Sequence, residues 1–511
     1  MKIEREVKLA AWGGFVLPPL DDLVPELRVE PLKPKKLDAT YYDTRDLRLA
    51  RAGVSLRHRL GDDPPWTVKL PEGQSGPVMS RREIPFAGPA GTIPAEAERL
   101  VRAYARSEPL APVARLRTER SRMSLNLDGV AVAEIADDEV SVYHGRRLAS
   151  RFREVEVEVE DGAPDRLLPA VVKRLREAGA GEPDNTPKVV RALGPRALEP
   201  LPGTAGSVGA SSTMGEVVRA SVANALARIV AHDPGVRLGD DPEDVHQARV
   251  GTRRLRSDLR TFRPLLDPDW VAGLRTEAGW YAALLGDVRD TEVLMERLEH
   301  QARMLPEEDA AAVTAVVARL ARDREAARER LLEGMDSPRY VALLDRLSEA
   351  AAQPQFASGD SGDGGDPTAQ PAAEALPALV RRPWRRLAKA VKELPDVPAD
   401  EQLHEVRILA KHTRYAAEAA AGVVGKPASA FAKQIAAVQT VLGDHQDACV
   451  TEAWLRQAGP KTRSTKEAMV IGQLIGLQRG EAQAKRAAWP DVWARASERS
   501  LRAWLTGPDG R

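Results

Sequence analysis

Charged residues spaced two apart recur in the first part of the chain, and their chemistry suits a metal ion bound together with phosphate. Residues two apart on a β-strand lie on the same face. Carboxylates bind hard divalent cations through oxygen, whereas arginine and lysine neutralise phosphate oxygens. The rows are Glu4, Glu6 and Lys8, then Arg57 and Arg59, Arg115 and Arg117, and Glu154, Glu156 and Glu158.

The charged faces of these strands can be exposed to solvent or can point into the lumen of a barrel. A charged face on an antiparallel strand is usually only solvated. Several strands with rows of one sign favour a closed barrel instead, because one face of every strand then points into the lumen. A lumen with both signs suits a complex of a divalent cation with a polyphosphate, since the cation bridges the carboxylates and the phosphoryl group.

A second set of charged residues follows a helical period further along the chain. Residues with offsets of three, seven, ten and fourteen from the first fall within about 80° of arc on a helix. Like charges at this spacing repel each other, so the pattern favours an anionic partner. The alternative is a basic helix that is solvated or salt-bridged to neighbouring helices. The two stripes are His246, Arg249, Arg253, Arg256 and Arg260, and His404, Arg407, Lys411 and Arg414, with Glu418 at the fifth position of the second stripe.

The elements that carry these residues divide the chain into domains. Short alternating runs and turn residues predict strands over residues 1–195. A stretch rich in Gly, Pro and Ser at 196–212 predicts a flexible linker. Helical periodicity then covers residues 213–511, with a disordered insert predicted at about 353–372.

The helical part also repeats itself. Leu284-Leu-Gly-Asp-Val-Arg-Asp290 follows the first basic stripe, and Val441-Leu-Gly-Asp-His-Gln-Asp447 follows the second at nearly the same separation. Two matching elements in the same order predict a duplicated helical bundle. We expect the aspartates of these segments to orient the basic helices rather than to touch the anion.

Composition argues against several classes of protein. The single cysteine, Cys449, excludes an intrachain disulfide and a Cys-rich metal site. The formal net charge is zero, and aromatic residues make up only 4%, which leaves little for base stacking and makes nucleic acid an unfavoured partner. The sequence lacks an apolar signal region and an apolar run that could span a membrane, so we expect a cytoplasmic protein without a membrane partner.

The first part of the chain resembles the CYTH, or triphosphate tunnel metalloenzyme, superfamily. The resemblance covers about residues 1–195 and implies an eight-stranded antiparallel tunnel. Members hydrolyse inorganic triphosphate, thiamine triphosphate or RNA 5′-triphosphates, or cyclise ATP. The matching segments are Glu4-Arg-Glu-Val-Lys8 (the ExExK signature), Tyr41-Tyr-Asp-Thr44, Leu56-Arg-His-Arg59, Trp66-Thr-Val-Lys69, Ser80-Arg-Arg-Glu83 and Phe152-Arg-Glu-Val-Glu-Val-Glu158.

This resemblance implies a set of site residues in which Glu4, Glu6 and Lys8 carry the catalysis. The register leaves Asp137 as an alternative to Asp138, and it leaves open whether Arg81 or Arg82 grips phosphate. The implied ligands of Mg²⁺ or Mn²⁺ are Glu4, Glu6, Asp138, Glu156 and Glu158. The implied phosphate ligands are Lys8, Arg57, Arg59, Lys69, Arg81 or Arg82, Arg115, Arg117 and Lys188.

The helical part resembles the CHAD domain over about residues 213–511, because both of its basic helices and both Leu-Gly-Asp segments match. The resemblance implies two pseudo-symmetric four-helix halves around a basic cavity. It also implies binding of inorganic polyphosphate by the His, Arg and Lys residues of the two stripes, and recruitment to polyphosphate granules.

The chain is thus predicted to be a multidomain α+β protein, with an eight-stranded antiparallel β barrel followed by an all-α duplicated four-helix-bundle domain. The favoured function is metal-dependent hydrolysis of inorganic triphosphate or polyphosphate, with the helical domain as the polyphosphate binder. A non-catalytic polyphosphate-binding scaffold and a class IV-like adenylyl cyclase are the alternatives. The retained ExExK and Glu156/Glu158 rows favour hydrolysis over the scaffold.

Overall fold

Eight antiparallel strands form a closed barrel in the computed structural model of the protein, as the sequence predicts. The strands are β1 (Lys2–Ala11), β2 (Arg28–Asp43), β3 (Ser55–Leu60), β4 (Trp66–Ser75), β5 (Val78–Phe86), β6 (Ala111–Leu127), β7 (Val130–His144) and β8 (Arg147–Val159). Their order around the barrel is β1-β5-β4-β3-β2-β6-β7-β8, and β8 pairs with β1 to close it. Five short helices accompany the strands: α1 (Arg48–Arg51), α2 (Ala95–Leu100), α3 (Arg102–Ala105), α4 (Leu167–Glu177) and α5 (Lys188–Leu193).

The structure describes residues 2–75, 78–160, 162–184, 186–201, 203–204, 206–357, 366–462 and 464–506. Of these, residues 2–4, 73–75, 78–79 and 461 are described by their backbone alone. The chain divides into two compact units, Met1–Leu201 and Pro202–Arg511.

Successive side chains of a strand point to opposite faces. One set therefore packs in an apolar core outside the barrel, and the other set faces the polar lumen. Val7 and Leu9 of β1 and Val157 of β8 are fully buried against α4, where Leu167 and Val171 face them. Burial of each such side chain contributes roughly 1.5–3 kcal/mol. The intervening residues Glu6 and Lys8 therefore point inward.

A different core fills part of the barrel interior. Val189 and Val190 of α5 pack with Ala39, Leu116 and Val140, which come from β2, β6 and β7. Because α5 begins directly after Pro187, its first residue is Lys188. The helix thereby holds a lysine against the inward face of the barrel.

The second unit is helical. Its helices are α6 (Met214–Leu238), α7 (Pro242–Thr261), α8 (Pro268–Ala302), α9 (Ala310–Asp336), α10 (Pro338–Ala352), α11 (Ala372–Lys392), α12 (Asp400–Val424), α13 (Lys426–Ala458) and α14 (Thr465–Ala496). None of the helices in the described part of the chain combines the length and the apolarity that crossing a membrane requires. Residues 358–365 of the predicted insert lie outside the described residues.

The duplication is visible in how the two basic helices pack. The stripes lie on α7 and α12, which contact each other, and the Leu-Gly-Asp segments lie on the following helices, α8 and α13. A Cβ at Gly443 would meet Arg407 Nε at 3.5 Å, and one at Gly286 would meet the Arg249 guanidinium at 4.0 Å. In both halves an arginine of the stripe therefore lies beside the glycine of the segment on the neighbouring helix, at ordinary contact distance.

Candidate functional site

The barrel encloses a cavity of about 130 Å³ with charged walls. Four of its five acidic residues come from the neighbouring strands β7, β8 and β1, whereas the fifth, Glu83, and most of the basic residues come from β5, β4 and β3. The two signs therefore largely face each other across the lumen. Predicted site residues in its wall are Glu6, Lys8, Arg57, Arg59, Lys69, Arg81, Asp138, Glu156, Glu158 and Lys188.

Two buried carboxylates on the acidic side share one guanidinium. Arg120 of β6 donates from Nε to Asp138 Oδ1 at 2.7 Å and from Nη2 to Asp138 Oδ2 at 2.6 Å. The same Nη2 lies 2.6 Å from a Glu156 carboxylate oxygen. This bidentate arrangement fixes both carboxylates in the lumen.

The lysine of the ExExK row lies among the acids. Lys8 Nζ donates to Glu6 at 3.0 Å and also contacts Glu156. Burial lowers the pKa of Lys8, but Glu156 and Glu6 outweigh burial and raise that pKa overall. Burial raises the pKa of Glu156, yet Lys188, Lys8 and Arg120 hold it well below its ordinary value. Both groups are therefore charged at neutral pH.

Lys188 is a second cation within the acidic wall. Its Nζ lies 2.8 Å from Asp138, 2.8 Å from Glu154 and 2.6 Å from Glu156. Glu154 is fully buried and also faces Arg191 of α5 at 3.3 Å. The structure therefore places Lys188 against the carboxylates, where it holds α5 in position.

The carboxylates fit a hard divalent cation. Oxygens of Asp138, Glu154 and Glu156 all lie within 4.8 Å of one another and are buried. Glu6 and Glu158 line the same cavity. Oxygen-only donors of this kind are the ligands that Mg²⁺ and Mn²⁺ prefer.

The opposite wall is basic. Arg57 and Lys69 approach Glu83 at 2.9 Å and 3.5 Å, and Arg81 donates to the Gly53 carbonyl at 2.5 Å. Burial raises the pKa of Tyr41, but Arg57, Lys188 and Lys69 lower it overall. That shift reports a strongly positive field, which favours an anion at this wall.

Two further predicted phosphate ligands on β6 do not line the cavity. Arg115 pairs with Asp38 at 2.6 Å, and Arg117 is half exposed beside the Tyr143 ring. The predicted register assumed that the charged face of every strand points inward. At this end of β6 the inward face is apolar instead, because Leu116 packs against α5.

The structure also shows which residue of each pair that the sequence left open faces the cavity. Arg81 and Asp138 line the cavity, whereas Arg82 contacts Glu72 and Asp137 pairs with Arg153, on the opposite faces of their strands. Glu4 lies on β1, but its side chain lies outside the described residues.

Arg120 is the main residue that the sequence analysis missed. It has the same parity as Leu116 and Thr118 on β6, and all three line the cavity. The signal was the change from apolar to charged residues on one face of a single long strand. Glu83 and Tyr41 were likewise missed as wall residues.

In the helical unit, arginines of both stripes lie around Lys411, and the Asp447 carboxylate interacts with one of them, Arg407. Burial, followed by the charges of Arg253 and Arg407, lowers the pKa of Lys411 to about 8. In the described part of the chain, the buried Nε atoms of Arg253 and Arg407 and Nδ1 of His404 have no hydrogen-bond partner. Buried polar groups are rarely left unpaired, so these atoms mark a place for an anion.

Carboxylates balance the charge of other arginines in the two stripes. Arg249 donates to Asp290 at 2.6 Å. Arg414 donates to Glu418 at 2.6 Å, and Arg254 reaches the same carboxylate at 2.6 Å. Arg414 therefore has a carboxylate partner at its Nε atom, unlike Arg253 and Arg407 in the part of the chain that the structure describes. His246 is partly buried, and burial lowers its pKa.

The stripe on α7 continues into a basic cavity of about 660 Å³. Arg260 enters it together with residues of α8, α11 and α12. Burial, together with the charges of Arg260 and Lys411, lowers the pKa of His412 to about 4. The other basic residues in the wall are Arg263, Arg275, Arg382 and Arg386.

Comparison with known proteins confirms both resemblances. The CYTH domain family matches residues 2–191 and the CHAD domain family matches residues 220–456. Uncharacterized protein Rv2226 of Mycobacterium tuberculosis (strain ATCC 25618 / H37Rv) is 32% identical over 496 residues, covering 89% of this chain and 88% of that protein. The chain therefore belongs to the family of proteins that join a CYTH domain to a CHAD domain.

Two solved structures are also similar to the chain. PptA from Streptomyces chartreusis is 26% identical with a TM-score of 0.46, covering 55% of this chain and 100% of its own. The CHAD domain from the plant Ricinus communis is 26% identical with a TM-score of 0.43, covering 61% and 98%. The barrel itself is a triphosphate tunnel metalloenzyme domain, a family whose members act on phosphoanhydrides and generally depend on a metal.

Proposed function

We propose that the barrel hydrolyses inorganic triphosphate and short polyphosphates with Mg²⁺ or Mn²⁺, and that the helical domain binds inorganic polyphosphate. The observation that carries the first part is the pair of facing walls, acidic on β7, β8 and β1 and basic on β3, β4 and β5. A phosphate chain alone would need only the basic wall. The acidic wall gives the lumen a place for a cation beside the reacting phosphoryl group.

Each wall has a distinct role in this reaction. Arg57, Lys69 and Arg81 would bind phosphoryl oxygens and neutralise the charge that develops when water attacks the terminal group. Glu6, Asp138, Glu156 and Glu158, with Glu4, would hold the metal, which supplies polarisation of the phosphoryl group when it is bound. Lys8 and Arg120 would keep the carboxylates ionised and oriented.

Polyphosphate binding by the helical domain rests on a separate observation. Arg253 and Arg407 each bury an Nε that has no hydrogen-bond partner in the described part of the chain. A polyanion provides many oxygens at regular spacing, so it can satisfy both donors and Lys411 together. Such binding would also recruit the protein to polyphosphate granules.

Phosphate release from tripolyphosphate with Mg²⁺ or Mn²⁺ tests the barrel's part of this proposal. Glu156→Gln should lower the rate by at least about 100-fold. The matched control is Glu119→Gln, on the outward face of β6 with 71% of its side chain exposed, and it should leave the rate unchanged. Wild-type protein that binds polyphosphate without releasing phosphate would instead favour the scaffold. Cyclic AMP made from ATP would favour the cyclase.

A further inference from the structure

Three side chains with metal-binding donor atoms meet in the second half of the helical domain, at the start of the helix that carries the second basic stripe. They are Asp400, the first residue of α12, and His445 and Cys449, one turn apart on α13. Their ligand atoms all lie within 4.8 Å of one another. His445 Nε2 is 3.2 Å from Asp400 Oδ1 and 4.0 Å from Cys449 Sγ.

These separations suit a tetrahedral ion. Zinc binds nitrogen, carboxylate oxygen and sulfur at distances that place neighbouring ligands about 3.3–3.6 Å apart. Small side-chain movements bring the observed atoms into that range. His445 has only 1% of its side chain exposed, whereas 49% of the Asp400 side chain is exposed, so an ion can enter from the solvent side.

The internal repeat shows that the helical packing does not require these residue types. The positions in the first half that match Asp400, His445 and Cys449 are Pro242, Val288 and Glu292. Val288 is buried in the bundle, so an apolar residue fills the place of His445. All three donor types are present only in the second half.

Neighbouring charges complete the description of the cluster. Arg486 of α14 contacts Asp400 Oδ1 and also donates to the Pro398 carbonyl. Both His445 and Arg486 use the same carboxylate oxygen, Oδ1. An ion bound through the second oxygen of Asp400 would leave Arg486 in place and would replace the hydrogen bond between the Asp400 carboxylate and the Cys449 thiol.

We propose that Asp400, His445 and Cys449 form a zinc site with a fourth position for water. A nitrogen, a sulfur and one carboxylate oxygen are a donor set typical of zinc and unlike the oxygen-only set in the barrel. The ion would join the first turn of α12, the helix that carries Arg407 and Lys411, to α13. Zinc would thus brace a helix of the polyphosphate site without contacting the anion.

Cobalt substitution in the full-length protein tests this site independently of the barrel. Co²⁺ bound to a thiolate gives a ligand-to-metal charge-transfer absorption, and Cys449 is the only cysteine in the chain. The band should appear with one equivalent of Co²⁺ and disappear when one equivalent of Zn²⁺ is added. It should be lost in Cys449→Ser and in His445→Val, which copies the first half, and persist in the barrel variant Glu156→Gln.

Two results with the wild-type protein would contradict the proposed zinc site. Absence of the band in the wild-type protein overturns the site, and a band that Zn²⁺ does not remove overturns the assignment to zinc. If His445→Val fails to fold, the exposed Asp400→Asn variant replaces it and should weaken Co²⁺ binding at least tenfold. Unchanged Co²⁺ binding in Asp400→Asn overturns the three-residue site.

Discussion

The barrel and the helical domain both concentrate charge, but they balance it differently. In the barrel every described acidic wall residue has a cation within reach, as Glu156 does with Lys8, Arg120 and Lys188. In the helical domain Lys411 lies among arginines of both stripes, and the buried Nε atoms of Arg253 and Arg407 have no hydrogen-bond partner among the described residues. A site with both signs can hold a metal and a phosphoryl group together, whereas a site with one sign is suited to binding alone. Catalysis and retention of polyphosphate are therefore expected to be separable by mutation.

The largest effect should come from a cation of the barrel wall. Arg57→Ala removes a donor from the basic wall and should lower kcat/KM for tripolyphosphate by about 100-fold. Arg117→Ala, on the outward face of β6 with 52% of its side chain exposed, is the matched control and should change it less than about threefold. Steady-state phosphate release measures both. Equal losses in the two variants would contradict the register described for β6.

The next largest effect should follow removal of the unpaired arginines. Each charge-assisted hydrogen bond is worth about 1.5–3 kcal/mol, so Arg253→Ala with Arg407→Ala should weaken polyphosphate binding at least tenfold. Titration at several salt concentrations should also give a shallower dependence on salt. Arg330→Ala, an exposed arginine on α9, should bind as the wild type does. If the double variant binds polyphosphate as tightly as the wild type, the contact between α7 and α12 is not part of the binding site.

The pH dependence of polyphosphate binding should follow Lys411. Its pKa is lowered to about 8, first by burial and then by Arg253 and Arg407, and a bound polyanion would raise it. Binding then takes up a proton at this lysine, so its contribution to affinity is constant well below pH 8, and affinity falls by up to about tenfold per unit above it. Calorimetry in buffers of different ionisation enthalpy measures the proton uptake. Lys411→Arg stays charged and should abolish it, whereas uptake that survives in Lys411→Arg would place the titrating group elsewhere.

The smallest effect should come from the asymmetry between the two stripes. Glu418 stands where the first stripe has Arg260, and it pairs with Arg414 and Arg254. Partly exposed ion pairs are worth about 0.2–1 kcal/mol. Glu418→Gln should therefore release two arginines and raise polyphosphate affinity roughly two- to fivefold in a binding titration. A lower affinity would mean that Glu418 positions these arginines for the anion.

The sequence predicts the barrel well where residues alternate strictly, and less well elsewhere. Val7 and Leu9 bury one face of β1, so the direction of Glu6 and Lys8 follows from the period of two. The long strand β2 lacks such a pattern, because Pro31 and Pro34 interrupt a charged stretch, and its pairing with β6 shifts register between Leu32 and Lys35.

Site residues were predictable where a single local pattern decides the face. Arg115 and Arg117 were assigned to phosphate because they form a charged row and because the CYTH resemblance implies it, but at that end of β6 the packing of α5 makes the inward face apolar. Arg120 reaches the lumen because the inward face of β6 changes from apolar at Leu116 to charged four residues later. That change depends on where a helix packs against the barrel, which a local pattern does not report.

The separation of catalysis from binding is tested most directly by measuring both activities in two full-length variants. Tripolyphosphate hydrolysis and polyphosphate affinity are determined for Glu156→Gln and for the double variant Arg253→Ala/Arg407→Ala, each with intact circular dichroism. We predict that the first loses hydrolysis and keeps binding, and that the second loses binding and keeps hydrolysis. Hydrolysis at the wild-type rate by Glu156→Gln, or loss of both activities in both variants, would contradict the account.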